Sequence, residues 1–574
     1  MPQPFHLLPR IGSSMAEEWL AIGLDHHVAG RFQEAEQAYM KGLRIDPNNG
    51  PITCNHGVMA AQQGQILTAI QRLERSLLFD DKNATTGYNY ALALLEAERT
   101  DEALAAINQS IALIESADAL CAKGMILTAY GKAAEACEAY EKALAKPFDP
   151  PYSTREMVGF NSVFVRTLKN TTPEENCNAR KKWHERWSYK GEKKPHANDR
   201  VPDRKLRIGY VGGDFKMHSA AFIFGKVILH HDRNAYDPYC YMTMQVSAED
   251  GQTKSFMEKT NWRDISAKND DEAEAMIRAD GIDILVDLSG HTGGNRLPLF
   301  TRKPAPVQAH GWGFAHGSGC PEIDYFFADP YSVPEEERKF FAEKIWDLSC
   351  IVAYEPPNYN HSGTSPAPVS RDGTFTFGVF GRFEKYSPQS IEAWHKILLR
   401  TPNSRLIVKD LGMRRPFAIK RFREVMHDVD PKRILFMQDC SHPEQFLVYQ
   451  NADLVLDTFP HTGGVTALEI LYMGVPVVTL YNGQVGGRTT ATALRLMGRT
   501  GWVANSINGY VELAVRLAAE RAELGKARTE LRDQFLKSPL CGDYVKEVEN
   551  AYRSMWWRYC GHETKQDELK EARQ

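Results

Sequence analysis

The sequence has no Cys-x-x-Cys spacing, although it holds ten cysteines. They are scattered at 54, 121, 137, 177, 240, 320, 350, 440, 541 and 560, several of them inside apolar runs. This excludes a disulfide frame and a thiolate zinc site, and points to reduced, buried thiols in a cytoplasmic protein. No stretch of 18 apolar residues occurs, so no transmembrane helix is expected. Met1 to Met15 lacks the apolar segment with basic flank that marks a secretory signal. Charge of one sign is also scarce, with a formal net charge of -4. A nucleic-acid binder carries a basic stripe; here Arg180-Lys181-Lys182 and Lys193-Lys194 are short and read as solvated linker. There is no Gly-x-x-x-x-Gly-Lys, so an NTP-hydrolysing loop is not indicated. The expectation is a soluble chain with neither nucleic acid nor membrane as partner.

What is present begins with an internal repeat. Write Ala16–Asn49 as one unit, and Trp19, Ile22, Gly23, Ala35, Tyr39 and Pro47 fall at positions 4, 7, 8, 20, 24 and 32. Gly50–Asn83 keeps Gly57 and Ala69 at positions 8 and 20, and Ala84–Ser116 keeps Ala91 and Ala103. A fourth unit begins near Ala117 with Gly124, Ala136, Tyr140 and Ala143. Large apolar residues on one face and small ones where helices touch form the tetratricopeptide pattern. Small residues let paired helices approach, so that each repeat stacks on the next. Such a solenoid, expected over 1–150, does no chemistry and implies a protein or peptide partner. A generic helical bundle is the plainer alternative.

Residues 151–202 read as a linker, with a helix over Glu174–Tyr189. After Asp203 short apolar strands alternate with amphipathic stretches: Leu206–Val211, Ile284–Leu288, Phe375–Phe380, Arg405–Val408, Ile434–Met437, Leu454–Leu456 and Val477–Leu480. That alternation predicts α/β structure with parallel sheets. A Pro-, Ser- and Asn-rich stretch at 355–371 divides it into lobes at 203–354 and 372–574. Two doubly wound domains then face each other with ligands at the carboxyl ends of their strands.

Five motifs sit at such strand ends. Asp457-Thr-Phe-Pro-His-Thr-Gly463-Gly464-Val465-Thr466 runs from a strand through glycines into a helix. Its free amides at Gly464, Val465 and Thr466 make a diphosphate site, and Glu469, one turn on, is placed to accept from ribose hydroxyls. The bland reading is an ordinary strand–helix turn. Gly378-Val-Phe-Gly-Arg382-Phe-Glu-Lys385 ends a strand in two cations, with Lys385 placed to neutralise a leaving diphosphate; alone it reads as a surface lysine. Gly209-Tyr-Val-Gly-Gly-Asp214-Phe-Lys-Met-His218 offers a base or a positioning group, or a structural histidine. Asp287-Leu-Ser-Gly-His291 and Val307-Gln308-Ala-His310 complete the set without specifying a reaction. The one Asp-x-Asp triplet, Asp428-Val-Asp430, precedes a strand and faces away from the cleft, so it reads as a solvated turn rather than a metal site.

These motifs, in this order after tetratricopeptide repeats, resemble the O-linked N-acetylglucosamine transferase family, glycosyltransferase family 41. That family also includes SPINDLY proteins, which transfer fucose, and bacterial protein glucosyltransferases. Lys303-Pro-Ala-Pro-Val-Gln308, Pro402-Asn-Ser404, Gly474-Val-Pro476, Ser538-Pro-Leu-Cys541 and Tyr552-Arg-Ser-Met-Trp556 add to the resemblance. It implies a GT-B pair of Rossmann-like domains behind the solenoid, and an inverting, metal-independent transfer from a nucleotide-sugar to Ser or Thr, with no further cofactor. Lys385 matches the lysine at the donor diphosphate, and Gly464, Val465 and Thr466 match the helix-start residues. Glu469 matches an acidic residue at the ribose, and Asp214 and His218 match a pair in the first lobe. Gln308 is expected beside the sugar pocket. Gly464-Val465 in place of His-Thr, Arg382 in place of Gln, and Gln445 in place of the histidine on the base depart from N-acetylglucosamine transferases. UDP-N-acetylglucosamine is the expected donor. GDP-fucose, UDP-glucose and a non-catalytic scaffold remain open.

Overall fold

Ser14, Asn49, Asn83 and Ser116 each accept a hydrogen bond from an amide three residues on, and each starts a helix. These caps satisfy donors that a helix N-terminus otherwise leaves bare. They set the repeat boundaries in a computed structural model that describes residues 5–9, 12, 14–147, 153–246, 250–357, 359, 365–410, 416–438 and 440–562. Parts of the expected 151–202 and 355–371 linkers, and 563–574, lie outside the described residues.

Eight helices pair as α1 Met15–Val28 with α2 Phe32–Ile45, α3 Gly50–Gln62 with α4 Ile66–Phe79, α5 Ala84–Glu96 with α6 Thr100–Leu113, and α7 Ala117–Ala129 with α8 Ala133–Ala145. The small residues act as the pattern requires. A Cβ on Gly23 would stand 2.4 Å from the Tyr39 ring, and one on Gly124 would stand 2.6 Å from Tyr140. Helices this close leave no room for a side chain at the crossing. Gly30, Gly64 and Gly131 turn the chain within three pairs at φ near +71 to +75°, while Glu98 takes the same place in the third pair at φ 62°. The chain goes on into α9, Ser153–Phe164, which packs on α7 and α8. Residues 1–165 and 411–422 form one compact unit. Within it the Phe417 ring stacks on Tyr130 at 4.3 Å.

The second unit holds the rest of the chain. The helix expected over 174–189 is α10, Pro173–Trp187. The first sheet contains β1 Leu206–Gly212, β2 Tyr236–Met242, β3 Asn261–Asp264, β4 Ile284–Asp287, β5 Val307–His310, β6 Tyr325–Ala328 and β7 Lys344–Asp347. The second contains β8 Phe375–Phe380, β9 Ser404–Lys409, β10 Ile434–Met437, β11 Leu454–Leu456, β12 Val477–Leu480 and β13 Val503–Ala504. Their orders are β3-β2-β1-β4-β5-β6-β7 and β10-β9-β8-β11-β12-β13, with every pair parallel. Strand order reverses beside β1 in the first sheet and beside β8 in the second, and crevices open at such points. β2 carries Pro238, which cannot donate to a ladder and hides the strand from a sequence reading.

One boundary differs from the expected 372–574. The helix Tyr544–Cys560 returns to the first lobe. There the Glu549 carboxylate meets His231 Nδ1 at 3.1 Å, and Tyr544 OH accepts from Trp312 Nε1 at 3.0 Å. Its Tyr, Met and Trp face needs a partner, and the first sheet supplies it. Across the lobes Arg488 forms a bidentate pair with Glu337 at 2.8 and 2.5 Å.

Candidate functional site

The residues at the ends of β8, β9 and β11 converge on one edge of the second sheet. After β11, Asp457 shapes the turn. Its Oδ1 accepts from the amides of Thr458 and Gly463, both at 2.9 Å, and its Oδ2 accepts from Thr479 at 2.7 Å. Burial raises the Asp457 pKa in spite of these donors. The turn delivers Gly464 at φ 51°, ψ -127°, a conformation reserved to glycine, as N-cap of the helix Val465–Tyr472. A Cβ at Gly464 would meet nothing within 4 Å, so the backbone borders open space. Ala467 N returns to Gly464 O at 3.1 Å, but the amides of Gly464, Val465 and Thr466 have no acceptor among the described residues. The Thr466 hydroxyl is equally without a partner there. Val465 buries its side chain and offers only its backbone.

Lys385 closes the short turn Phe383–Lys385 after β8. Its Nζ donates to Thr462 O at 2.9 Å. Burial and the neighbouring Arg382 guanidinium push its ammonium down to about 7. The exposed Arg382 guanidinium makes no hydrogen bond to a described residue, while its carbonyl accepts from Lys385 N at 2.9 Å. Its charge also acts on His218 in the first lobe, where burial is the main force lowering the imidazole pKa. His218 Nδ1 accepts from Ala220 N at 3.3 Å and stands 3.5 Å from Asp214 Oδ2. The site therefore draws on both lobes.

Gln445 lies on the helix His442–Tyr449 and accepts from Lys409 Nζ, which ends β9. Glu469 is buried, and its carboxylate already receives His442 Nε2 at 2.9 Å and Tyr449 OH at 2.7 Å. It retains further acceptor capacity, since a carboxylate accepts at about four sites. His442 in turn stacks on Phe222 of the first lobe at 4.9 Å.

Gln308 is corrected. Its Nε2 donates to the carbonyls of Phe300 and Glu322, at 3.0 and 2.9 Å. Those groups precede β5 and β6, so the side chain is anchored in the lobe interior toward the amino ends of the strands. Two positions on, at the carboxyl end of the strand, is the buried His310. It meets Asp287 at 2.8 Å through Nδ1, and the carbonyls of Phe314 and His316 through Nε2. Both nitrogens face acceptors. Burial opposes a charge on His310, yet Asp287 raises its pKa. The Asp-x-Asp triplet is engaged elsewhere: Asp428 pairs with His395 at 2.5 Å, and Asp430 caps the turn Pro431–Arg433.

Sequence reasoning missed two histidines. A Cβ on Gly486 would lie 2.9 Å from His316 Nε2 and 3.1 Å from the His461 ring. Gly486 O also takes both the amide and the hydroxyl of Thr462, at 3.1 and 2.9 Å. The imidazoles, one from each lobe, thus meet beside the group that Lys385 touches. His316 Nε2 and His461 Nδ1 are buried and have no hydrogen-bond partner among the described residues. Burial pushes His316 down to about 3 and holds His461 well below the usual range, so both rings are neutral.

This arrangement of two parallel sheets, helix-terminal amides and a lysine has counterparts. Residues 184–351 and 370–548 match the model for Glycosyl transferase family 41, and 26–49 match a Tetratricopeptide repeat. A protein of Solanum lycopersicum named "Probable UDP-N-acetylglucosamine--peptide N-acetylglucosaminyltransferase SPINDLY" is 34% identical over 380 residues, covering 63% of this chain and 40% of the relative. The Arabidopsis thaliana protein named with the same activity and the word SEC is 30% identical over 371 residues, covering 62% and 38%. This chain thus spans about two-fifths of the length of these curated relatives. A solved O-GlcNAc transferase mutant from Thermobaculum terrenum superposes with a TM-score of 0.79 at 28% identity, over 89% of this chain and 97% of that one. The family model covers more than half of the sequence, and the chain belongs to glycosyl transferase family 41.

Proposed function

We propose that this chain is an inverting protein O-glycosyltransferase. It moves N-acetylglucosamine from UDP-N-acetylglucosamine to Ser or Thr hydroxyls of protein acceptors engaged by its repeats. One observation carries the reading: the Lys385 ammonium and the unpaired amides of Gly464, Val465 and Thr466 stand at the same strand ends. In transfer the acceptor hydroxyl oxygen bonds to the sugar's anomeric carbon as the bond to the diphosphate breaks, and the hydroxyl proton is released to solvent. Negative charge then grows on the leaving diphosphate, where a cation and a helix N-terminus stabilise it. The reading assigns this task to Lys385, Arg382 and the amides, without a metal or other cofactor.

The donor rests on the relatives, whose names specify UDP-N-acetylglucosamine. His218 is read as a positioning residue. Its Nδ1 lone pair takes the Ala220 amide, which leaves the neutral ring's proton on Nε2 as a donor. The setting is cytoplasmic: all ten cysteines are free, and seven are buried. No described helix is long and apolar enough to cross a membrane.

Thermal shift with UDP against GDP, followed by transfer from labelled UDP-N-acetylglucosamine into cell-extract protein, tests the proposal. Stabilisation by UDP together with incorporation is the expected result. Selective stabilisation by GDP would replace the donor with a guanosine sugar. Incorporation from no donor would leave a scaffold.

A further inference from the structure

The repeat unit contains an occupant of its own. Residues Phe5–Pro9 form neither helix nor strand, yet they are held along α3 and α5 by two asparagines. Leu8 N donates to Asn55 Oδ1 at 2.7 Å, and Asn55 Nδ2 donates back to Leu8 O at 2.8 Å. His6 N donates to Asn89 Oδ1 at 2.9 Å, and Asn89 Nδ2 donates to His6 O at 2.7 Å. Each side-chain amide thus reads one residue's N–H and C=O together, as a neighbouring strand does. Asn55 and Asn89 occupy the same position in successive repeats, and they grip alternate residues of the segment.

This clamp recognises backbone. Any residue but proline offers the same pair of groups, so affinity of this kind tolerates many sequences. Side chains add a preference. Leu8 is buried with Val58, Tyr88 and Leu92, and Phe5 and Leu7 pack against the same cluster. The His6 ring meets Tyr88 edge-on at 4.8 Å, and its Nε2 lies 3.4 Å from Asp118. Take the segment away, and two asparagines that are now fully buried become bare, with matched donors and acceptors beside an apolar floor. A buried amide left without partners is costly, so the site favours occupation by some extended chain.

We propose that Phe5–Pro9 is a built-in competitor for a peptide groove on the repeats, and that an extended peptide segment of a partner protein binds there by displacing it. The favoured partner presents a basic or imidazole side chain toward Asp118 and an apolar one two residues later. Because the competitor is tethered, its effective concentration is about millimolar, and it sets the threshold a partner must exceed. The proposal is independent of sugar transfer.

The test uses a fluorescent peptide copying residues 5–14 and anisotropy on the full chain. The double variant His6→Pro, Leu8→Pro lacks both amides that the asparagines accept, while proline keeps the segment extended. The peptide should bind this variant about tenfold or more tighter than the native chain. Adding Asn55→Ala and Asn89→Ala should abolish the gain. Equal affinity for the native and proline chains would overturn the proposal, as would unchanged binding by the asparagine variant. Hydrogen exchange guards against misfolded variants: millimolar peptide added to the native chain should accelerate exchange at the His6 and Leu8 amides. Exchange that stays protected at that concentration makes the segment a fixed part of the fold and overturns the idea.

Discussion

Lys385 Nζ hydrogen-bonds the Thr462 carbonyl at 2.9 Å, and Thr462 is itself fastened to Gly486 O through its amide and hydroxyl. The lysine is therefore held against the glycine turn before any ligand arrives. Replacing it with alanine should lower transfer by about 10²–10³-fold, the cost of removing one preorganised charge-stabilising donor. Stability should not suffer. The pKa near 7 means the folded site holds this proton less tightly than the unfolded chain does, so the charge is a burden on the free protein. Melting temperature and turnover of Lys385→Ala check both parts; transfer at the normal rate would sink the mechanism.

The same shift gives a pH dependence. An ammonium lowered to about 7 is partly neutral above that pH in the free protein. A bound diphosphate favours the charged form and raises the pKa. Binding above pH 7 therefore takes up protons, and UDP affinity should fall as pH rises from 7 to 9. Calorimetry at pH 8 in buffers of different ionisation enthalpy measures the uptake. Lys385→Ala should lose most of it.

His316 and His461 make a contrasting pair. Their rings are neutral, and one buried nitrogen on each has no hydrogen-bond partner among the described residues. Truncation costs His461 its hydrogen bond to the Thr167 backbone and His316 its contact with the Phe314 ring, and in each case no more than that one contact among the described residues besides packing. His461→Ala and His316→Ala should each change the melting temperature by only a few degrees while raising the donor KM or altering the order of preference among UDP-sugars. A large fall in stability with unchanged donor kinetics would show that the rings serve packing.

The histidines also mark how far the sequence could be read. The repeats were legible because small residues recur at fixed positions, and the helix Val465–Tyr472 because Gly463-Gly464 follows a short apolar strand. His316 and His461 carry no such local signal, since they become neighbours only when two lobes close on Gly486. Gln308 was misplaced for a related reason. It shares a sheet face with His310 but lies two residues back, about 6.6 Å from the carboxyl end of the strand. Glu98 was invisible because the turn it occupies uses glycine in the other three pairs.

That turn predicts a stabilising change. Glu98 has φ 62° where Gly30, Gly64 and Gly131 are found. A residue with Cβ loses about 1–2 kcal/mol in the left-handed region, while glycine costs about 0.5–1 kcal/mol in unfolded-chain entropy. Glu98→Gly should therefore stabilise the repeat unit by about 0.5 kcal/mol or somewhat more. Urea denaturation followed by helical circular dichroism measures it; a lower midpoint would show that the Glu98 side chain matters more than its backbone.

Gly464→Ala should act in the opposite direction, and its effect should divide between fold and ligand. No atom lies within 4 Å of the added methyl, so no clash is expected. The backbone at φ 51°, ψ -127° is what alanine resists, at a cost of about 1–3 kcal/mol. The chain can relieve that strain by rotating the peptide unit, which turns the Gly464 and Val465 amides away from the diphosphate. Either the strain stays and stability falls, or it is relieved and UDP affinity falls. Measuring both on the same variant decides which. A variant that keeps native stability and native UDP affinity would mean that the amides at this helix start do not hold the donor.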